Sequence, residues 1–164
     1  MTAPVNEPTA PATKIDAHWK GLLECAAMEV FSMMAGLELK AYEEQPAEVH
    51  GDQTAMVGMA GALCGMVTVR CMSATASKLA AALLGGDANA NPSIMSDAMG
   101  ELANMVAGNF KSKVTNLADR CLLSVPTVIS GDDYTLQMMP PTEGFNLALS
   151  IDGEAVWFSL VIHG

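Results

Sequence analysis

Two acids and an amide recur at intervals of four and three residues in the stretch SDAMGELANMVAGN, residues 96–109. Asp97, Glu101 and Asn104 have the spacing that makes side chains neighbours on one face of a helix. Carboxylates accept hydrogen bonds and pair with cations, and an amide both donates and accepts. These side chains can therefore recognise another molecule, and their spacing suits a docking surface.

The surrounding residues must form a helix for this row to exist. At about 100° per residue, residues 93–117 are predicted to be one long helix with the polar row opposite an apolar side. Gly108 lies one turn after Asn104 and leaves a notch, and Gly100 precedes the pair. Because glycine inside a helix costs about 1 kcal/mol relative to alanine, we expect both glycines to permit close approach of another backbone. The apolar side comprises Met99, Leu102, Ala103, Val106, Phe110, Val114 and Leu117.

A merely solvated helix face is the alternative interpretation of the same row. Outward polar residues are common on helices, and Asp97 and Glu101 in the early turns also favour the helix dipole. Asn104 gains nothing from the dipole and is a mediocre helix former. The docking hypothesis therefore depends most on the amide. Whether Lys111 and Lys113 contact an acidic partner or only balance the acidic charge is left open.

Composition limits the class of protein. The 164 residues, about half of them apolar, fit one domain with a sizeable core. Eight Lys and Arg against eighteen Asp and Glu give a net charge of −10, which argues against a nucleic-acid partner. No apolar run approaches the roughly 20 residues of a membrane span, and the N-terminus does not resemble a signal peptide. We therefore expect a cytoplasmic protein with no membrane partner.

The residues that usually bind metals or act as nucleophiles form no recognisable motif. No C-x-x-C pair occurs among the four cysteines, so we expect them to be buried, reduced thiols. They are Cys25, Cys64, Cys71 and Cys121. The three histidines lie far apart, and the sequence contains no G-x-S-x-G, P-loop or G-x-G-x-x-G motif. No metal site and no cofactor of the chain's own are predicted.

The remaining segments predict the fold class. Residues 1–14 contain three prolines and no apolar cluster, so we expect a disordered tail followed by one domain over 15–164. Helical spacing covers residues 16–36, with Gly36 as a stop, and residues 73–86 end at Gly85 and Gly86. Residues 54–72 are predicted to be a hairpin, and the strongest hairpin signal is Asp152 with Gly153. Further strands are predicted at 121–131, 134–139, 145–152 and 154–162. This order indicates an α+β protein, with long helices packed on one face of a largely antiparallel sheet.

Residues 97–114, DAMGELANMVAGNFKSKV, resemble the signature helix of the CheC and CheX chemotaxis phosphatases. That helix has the pattern D-x-x-x-E-x-x-N, commonly followed by a small residue and Gly-Asn. AAMEVFSMMAG is similar to the family's first helix, residues 58–86 to its strand pair and following helix, and residues 122–131 to its next strand. Two-site members carry a second E-x-x-N on the first helix, where this chain has Glu24-Cys25-Ala26-Ala27. The chain is thus identified as a CheX-like member of the CheC/CheX/FliY family, with one active helix.

The resemblance implies a CheC/CheX-like fold and a function in two-component signalling. It implies hydrolysis of the aspartyl phosphate of a CheY-type response regulator, with Asn104 orienting the attacking water and Glu101 docking on the partner's lysine. Asp97 and Gly108 would support the site. The phosphorylated partner would supply Mg²⁺, and two copies of the chain would form a homodimer through their sheets.

Two alternatives to catalysis remain at this stage. The first is a non-catalytic CheX-like module that binds a response regulator or a flagellar switch component, because fold alone does not imply catalysis. The second is a structural or signalling subunit whose helix face is only solvated.

Overall fold

The structure, a computed structural model, describes residues 14–42, 48–84, 91–137 and 142–163. Within these residues, three α-helices pack on one face of an antiparallel sheet, so the predicted α+β class is confirmed. The helices are α1 (Trp19–Val30), α2 (Ser73–Leu84) and α3 (Pro92–Lys113). The strands are β1 (Lys40–Ala41), β2 (Gln53–Gly61), β3 (Gly65–Cys71), β4 (Cys121–Leu123), β5 (Thr127–Ser130), β6 (Thr142–Ile151) and β7 (Glu154–His163).

The sheet has the strand order β1-β6-β7-β3-β2, and β4 and β5 both pair with the outer edge of β2. Every pair of neighbouring strands is antiparallel. Both predicted hairpins are confirmed: β2 and β3 are joined by residues 62–64, and β6 and β7 by Asp152 and Gly153. Asp152 and Gly153 have φ of 51° and 85°, the left-handed conformation that two-residue hairpin turns of this kind require.

The core lies between the helices and the alternate strand residues that face them. Val57, Val67 and Phe158 are fully buried on this face of the central strands. α1 continues into a π-helical turn, Phe31–Ala35, and the Phe31 ring meets the Phe158 ring edge to face at 5.7 Å. The turn ends at Gly36, whose φ of 63° is the left-handed conformation that stops a helix. The predicted stop is therefore confirmed.

The predicted end of α3 at residue 117 is wrong by four residues. The Asn91 side chain accepts the backbone N–H of Ile94 at 2.9 Å and caps the start of the helix, but the end is at Lys113. Val114 adopts an extended conformation with φ of −87° and ψ of 123°, and a turn follows. Val114 and Leu117 are nevertheless buried, because the turn carries them back against the core.

The segment 121–131 forms two strands where one was predicted. Pro126 separates β4 from β5, and since proline has no N–H to donate, it interrupts pairing with β2. Both short strands still lie antiparallel to β2, on successive parts of the same edge.

The predicted strand over 134–139 is wrong for Tyr134 to Gln137, which form no strand, and residues 138 and 139 lie outside the described part. The Tyr134 hydroxyl is 2.5 Å from Oγ1 of the buried Thr54, and the Arg70 guanidinium lies 4.8 Å from the centroid of the Tyr134 ring. These contacts hold the segment over the sheet face that carries no helix, where it cannot pair with an edge strand.

Two further predictions fall on residues outside the described ranges: the tail, for residues 1–13, and the helix stop at Gly85 and Gly86. Close to the predicted start of the domain, the backbone N–H of Ile15 donates to Oε2 of Glu143 on β6 at 3.0 Å.

The expectation of four buried thiols holds for two of them. All four cysteines are free, and Cys71 and Cys121 are buried, but Cys25 is exposed and Cys64 is only partly buried. Cys25 lies on the outer side of α1, whereas its neighbour Ala26 faces the core. Burial raises the pKa of Cys71 to about 12 and also raises the pKa of Cys121.

Candidate functional site

α3 carries the predicted site and is fixed by the elements around it. It contacts both α1 and α2 and lies over β2. The Phe110 ring is fully buried and meets Trp19 of α1 edge to face at 6.2 Å. Five of the seven residues predicted for the apolar side are buried on the helix itself: Met99, Leu102, Ala103, Val106 and Phe110. Because this side is fully packed, the rotation of α3 about its axis is determined.

The polar row faces away from the core, as predicted. Asp97 and Glu101 are exposed and one turn apart, and Asn104 is partly buried in the next turn. Within the described part of the chain, none of these three side chains makes a hydrogen bond or an ion pair. Their hydrogen-bonding groups are therefore available to another molecule.

The two glycines that flank the pair have different surroundings. A Cβ atom on Gly100 would lie 3.4 Å from Cβ of Pro126 and 3.5 Å from Cγ2 of Val128, so side chains and not another backbone fill this space. The expected backbone contact is therefore wrong for Gly100. A Cβ atom on Gly108 would meet only Cδ1 of Leu123, at 3.9 Å. The notch beside Asn104 is thus present at Gly108.

Glu101 stands between two shallow depressions in the surface. Leu83 and Leu84 at the end of α2 line the first, and Pro126 and Val128 line the second. Asp97 and Glu101 border both depressions. The two carboxylates therefore stand between Leu83 and Leu84 on one side and Pro126 and Val128 on the other.

The two lysines near the end of α3 have partners within the chain. Lys111 donates from Nζ to the backbone oxygen of Cys121 at 2.8 Å, and Lys113 lies 2.9 Å from the carboxylate of Glu29 on α1. Both cations therefore join α3 to its neighbours within the chain.

Asn109 joins α3 to α1 through a hydrogen bond that the sequence did not predict. Its Nδ2 donates to Oε2 of Glu29 at 3.1 Å, alongside the Lys113 contact. Hydrogen bonds from Lys113 and then Asn109 hold the pKa of Glu29 below its ordinary value. The only signal in the sequence was the i, i+4 spacing of Asn109 and Lys113, which places both on one helix face.

The described ranges contain no group of three or more His, Cys, Asp or Glu side chains that could hold a metal ion. Among the helices of those ranges, none is long and apolar enough to cross a membrane.

The fold and the site define a two-layer α+β protein that presents polar side chains on the outer face of a helix. The family model described as chemotaxis phosphatase CheX matches residues 53–148, a range that includes all of α3. Since this match covers more than half of the chain, the chain belongs to the chemotaxis phosphatase CheX family.

Individual relatives agree with this assignment. The CheY-P phosphatase CheX of Thermotoga maritima is 28% identical over 127 residues, which cover 75% of this chain and 82% of the relative. The crystal structure of CheX from Vibrio vulnificus has a TM-score of 0.79 at 23% identity, covering 92% of this chain and all of that one. CheX in the CheX-CheY-BeF3-Mg²⁺ complex of Borrelia burgdorferi has a TM-score of 0.73 at 19% identity, with 92% and 100% covered. The two structures show that the fold is shared.

Proposed function

We propose that this chain is a phosphatase that hydrolyses the aspartyl phosphate of a CheY-type response regulator. Membership of the CheX family and the 28% identity to a CheY-P phosphatase support this class of reaction. The observation that carries the proposal is that Glu101 and Asn104 lie one turn apart on the exposed side of α3 with no partner in the described residues.

The chemistry needs positioning more than it needs a nucleophile on the protein. Water attacks the phosphorus in line with the bond to the aspartyl oxygen; that bond breaks, giving a free carboxylate and inorganic phosphate. The Asn104 amide accepts a hydrogen bond from this water through its oxygen, so that a water lone pair faces the phosphorus. This assigns Asn104 a role like that of the water-orienting glutamine in GTPases.

Glu101 supplies the docking contact. Its carboxylate, one turn before Asn104, pairs with the regulator's active-site lysine and so fixes the register in which α3 enters the regulator's site. The depressions on both sides of Glu101 leave space for the stem of a long side chain. Asp97 adds negative charge one turn earlier, and Gly108 leaves room for the partner beside Asn104.

The Mg²⁺ that assists phosphoryl transfer belongs to the partner in this proposal. It is present in the Borrelia burgdorferi CheX-CheY-BeF3-Mg²⁺ complex. When bound to the regulator, the ion neutralises charge on the phosphoryl oxygens. At the phosphoryl site itself, this chain contributes the Asn104 amide and the Glu101 carboxylate.

A homodimer formed through the sheets is the proposed assembly. The sheet face opposite the helices carries Met56, Met66 and Val161, which are partly exposed and line one groove. Burial of this apolar surface by a second copy would stabilise the pair. Sedimentation equilibrium should give twice the chain mass of 17.1 kDa. A single species at the chain mass across micromolar concentrations would rule out the dimer.

The phosphatase is tested by the lifetime of phosphorylated CheY-type regulators with and without the protein. Wild type should shorten the lifetime catalytically. Glu101→Ala should mainly raise KM, because it removes docking, and Asn104→Ala should mainly lower kcat. A regulator that binds the wild-type protein but keeps its phosphate equally long would favour the non-catalytic binding module instead.

A further inference from the structure

The β4–β5 connection runs alongside the polar row of α3. At one end of the connection, Cδ1 of Leu123 lies 3.9 Å from the Cβ position of Gly108. At the other end, Cβ of Pro126 lies 3.4 Å from the Cβ position of Gly100. The β4–β5 connection therefore runs antiparallel to α3, alongside about two turns of the helix.

Asn104 lies midway between the two glycines, and Ser124 and Val125 lie between Leu123 and Pro126. Eight helical residues rise about 12 Å, and three steps of extended chain cover about 10 Å. Because these lengths are similar and both ends of the connection contact α3, the Ser124–Val125 segment runs along the side of α3 that carries Asn104.

Ser124 fixes the shape of this connection. Its N–H donates to the backbone oxygen of Gly58 on β2 at 2.8 Å, and its Oγ accepts the Gly58 N–H at 2.8 Å. The same Oγ donates to the backbone oxygen of Val125 at 3.0 Å. With Pro126 packed on α3, Val125 is held in a defined place with 85% of its surface exposed.

The negative charges at this surface repel a phosphorylated partner. Asp97 and Glu101 are negative, the chain has a net charge of −10, and a phosphoryl group is also negative. The pairing of Glu101 with a lysine relieves only part of this repulsion, and like charges across an interface weaken binding. An apolar contact next to the row would supply affinity that does not depend on charge.

We propose that Val125 is an apolar docking residue for the phosphorylated response regulator. It contacts an apolar side chain beside the regulator's phosphorylation site when Asn104 enters that site. The surface is continuous with the docking site of Glu101, since Pro126 and Val128 line the depression next to that carboxylate. This inference rests on the proposed function, because it takes the regulator as the occupant.

The direct test measures binding, which does not require catalysis. CheY-type regulators of the source organism, loaded with beryllium trifluoride and Mg²⁺, are titrated with the protein, and Kd is measured. Val125→Asp should weaken binding by about tenfold or more, since it replaces a buried valine contact with a charge. Val125→Thr, which keeps the shape, should weaken binding by a few-fold.

Met33→Asp is the control. Met33 is 79% exposed in the π-helical turn after α1, and it lines neither the depressions beside Glu101 nor the groove on the sheet face of the proposed dimer. Its Kd should equal that of wild type. Because Val125 and Met33 are both exposed, thermal unfolding should show that all variants fold.

The outcomes separate this inference from the proposed function. If wild type hydrolyses the phosphate, Asn104→Ala accelerates its loss about 100-fold less and Val125→Asp binds normally, the docking role of Val125 is overturned and the phosphatase stands. If wild type binds without hydrolysis and Val125→Asp loses binding, the docking role stands and the phosphatase fails. Equal weakening by Met33→Asp, or no binding of any loaded regulator by wild type, overturns the inference.

Discussion

Asn109 on α3 donates a hydrogen bond from Nδ2 to Oε2 of Glu29 on α1, at 3.1 Å. Lys113, one turn further along α3, contacts the same carboxylate at 2.9 Å. The Glu29 carboxylate thus joins α1 to the half of α3 that follows Asn104. Because Asn109 directly follows Gly108, this link lies one residue beyond the proposed site and holds the end of the helix in place.

The Glu29 link should make stability depend on pH. Lys113 and Asn109 lower the pKa of Glu29 from its ordinary value of 4.5. A carboxylate with a lowered folded-state pKa stabilises the protein above pH 4.5, and this stabilisation is lost as the pH falls through the folded-state pKa. Glu29→Gln should therefore be less stable than wild type at neutral pH, with a difference that disappears at low pH.

Urea denaturation at several pH values measures this difference. Glu38→Gln is the control, because Glu38 is exposed and makes no hydrogen bond or ion pair within the described residues. A difference between Glu29→Gln and wild type that stays constant down to pH 3 would contradict the proposed linkage.

Gly108→Ala should separate stability from function. Alanine is favoured over glycine in a helix by about 1 kcal/mol, and its Cβ would meet only Cδ1 of Leu123 at 3.9 Å. The free energy of unfolding should rise by up to about this amount. The same methyl group fills the notch beside Asn104, so KM for the phosphorylated regulator should rise.

Gly21→Ala on α1 is the matched control, because a Cβ atom there meets nothing within 4 Å. It should stabilise the protein to a similar extent and leave the kinetics unchanged. If Gly108→Ala retained the wild-type KM, the notch would have no part in docking.

Phe110→Ala should destabilise the protein severely. Phe110 is fully buried between α3 and the core, and its ring packs edge to face with Trp19. Truncation of a buried phenylalanine typically costs about 3–5 kcal/mol, because it leaves a cavity. Denaturant unfolding should show this loss, whereas Met33→Ala, at a side chain that is 79% exposed, should change stability by less than about 0.5 kcal/mol. A loss for Phe110→Ala as small as that of the control would show that α3 is not packed as described.

The four thiols should react at very different rates in the folded protein. Exposed Cys25 should be alkylated first by iodoacetamide, followed by the partly buried Cys64. Cys71 is buried with a pKa of about 12, and burial also raises the pKa of Cys121, so neither forms a reactive thiolate while the protein is folded. Peptide mass spectrometry over time measures the order. Rapid labelling of Cys71 without denaturant would contradict the described core.

The periodic features of the fold were predictable from the sequence. The side of α3 that holds Met99 and Val106 follows from helical spacing, since burial and periodicity have the same cause. The turn at Asp152 and Gly153 follows from residues that tolerate positive φ. These local preferences agree with the fold and were therefore predicted correctly.

The features that were missed depend on contacts between residues far apart in sequence. Tyr134 leaves the sheet edge because its hydroxyl meets Thr54, 80 positions earlier, and no local pattern contains this contact. The link between Asn109 and Glu29 spans a similar separation. Val125 has a weak local signal, because Pro126 predicts an interruption of the strand, but its position beside Asn104 requires the packing of β4 and β5 on α3.

The positions of the site residues were predicted from their spacing, whereas their roles were inferred from the family resemblance. Spacing predicted that Glu101 and Asn104 share the outer face of α3, and the structure confirms that arrangement. That one residue docks and the other orients water came from the family resemblance, and these roles remain proposals.

The most direct measurement is the first-order rate of phosphate loss from the regulator at saturating concentrations of wild type and Asn104→Ala. Saturation is established separately with the beryllium trifluoride form, so that binding and chemistry are not confused. Asn104→Ala should still bind with an affinity near that of wild type but accelerate phosphate loss about 100-fold less, because the water is no longer held in line. Equal acceleration by wild type and Asn104→Ala at saturation would contradict the proposed mechanism.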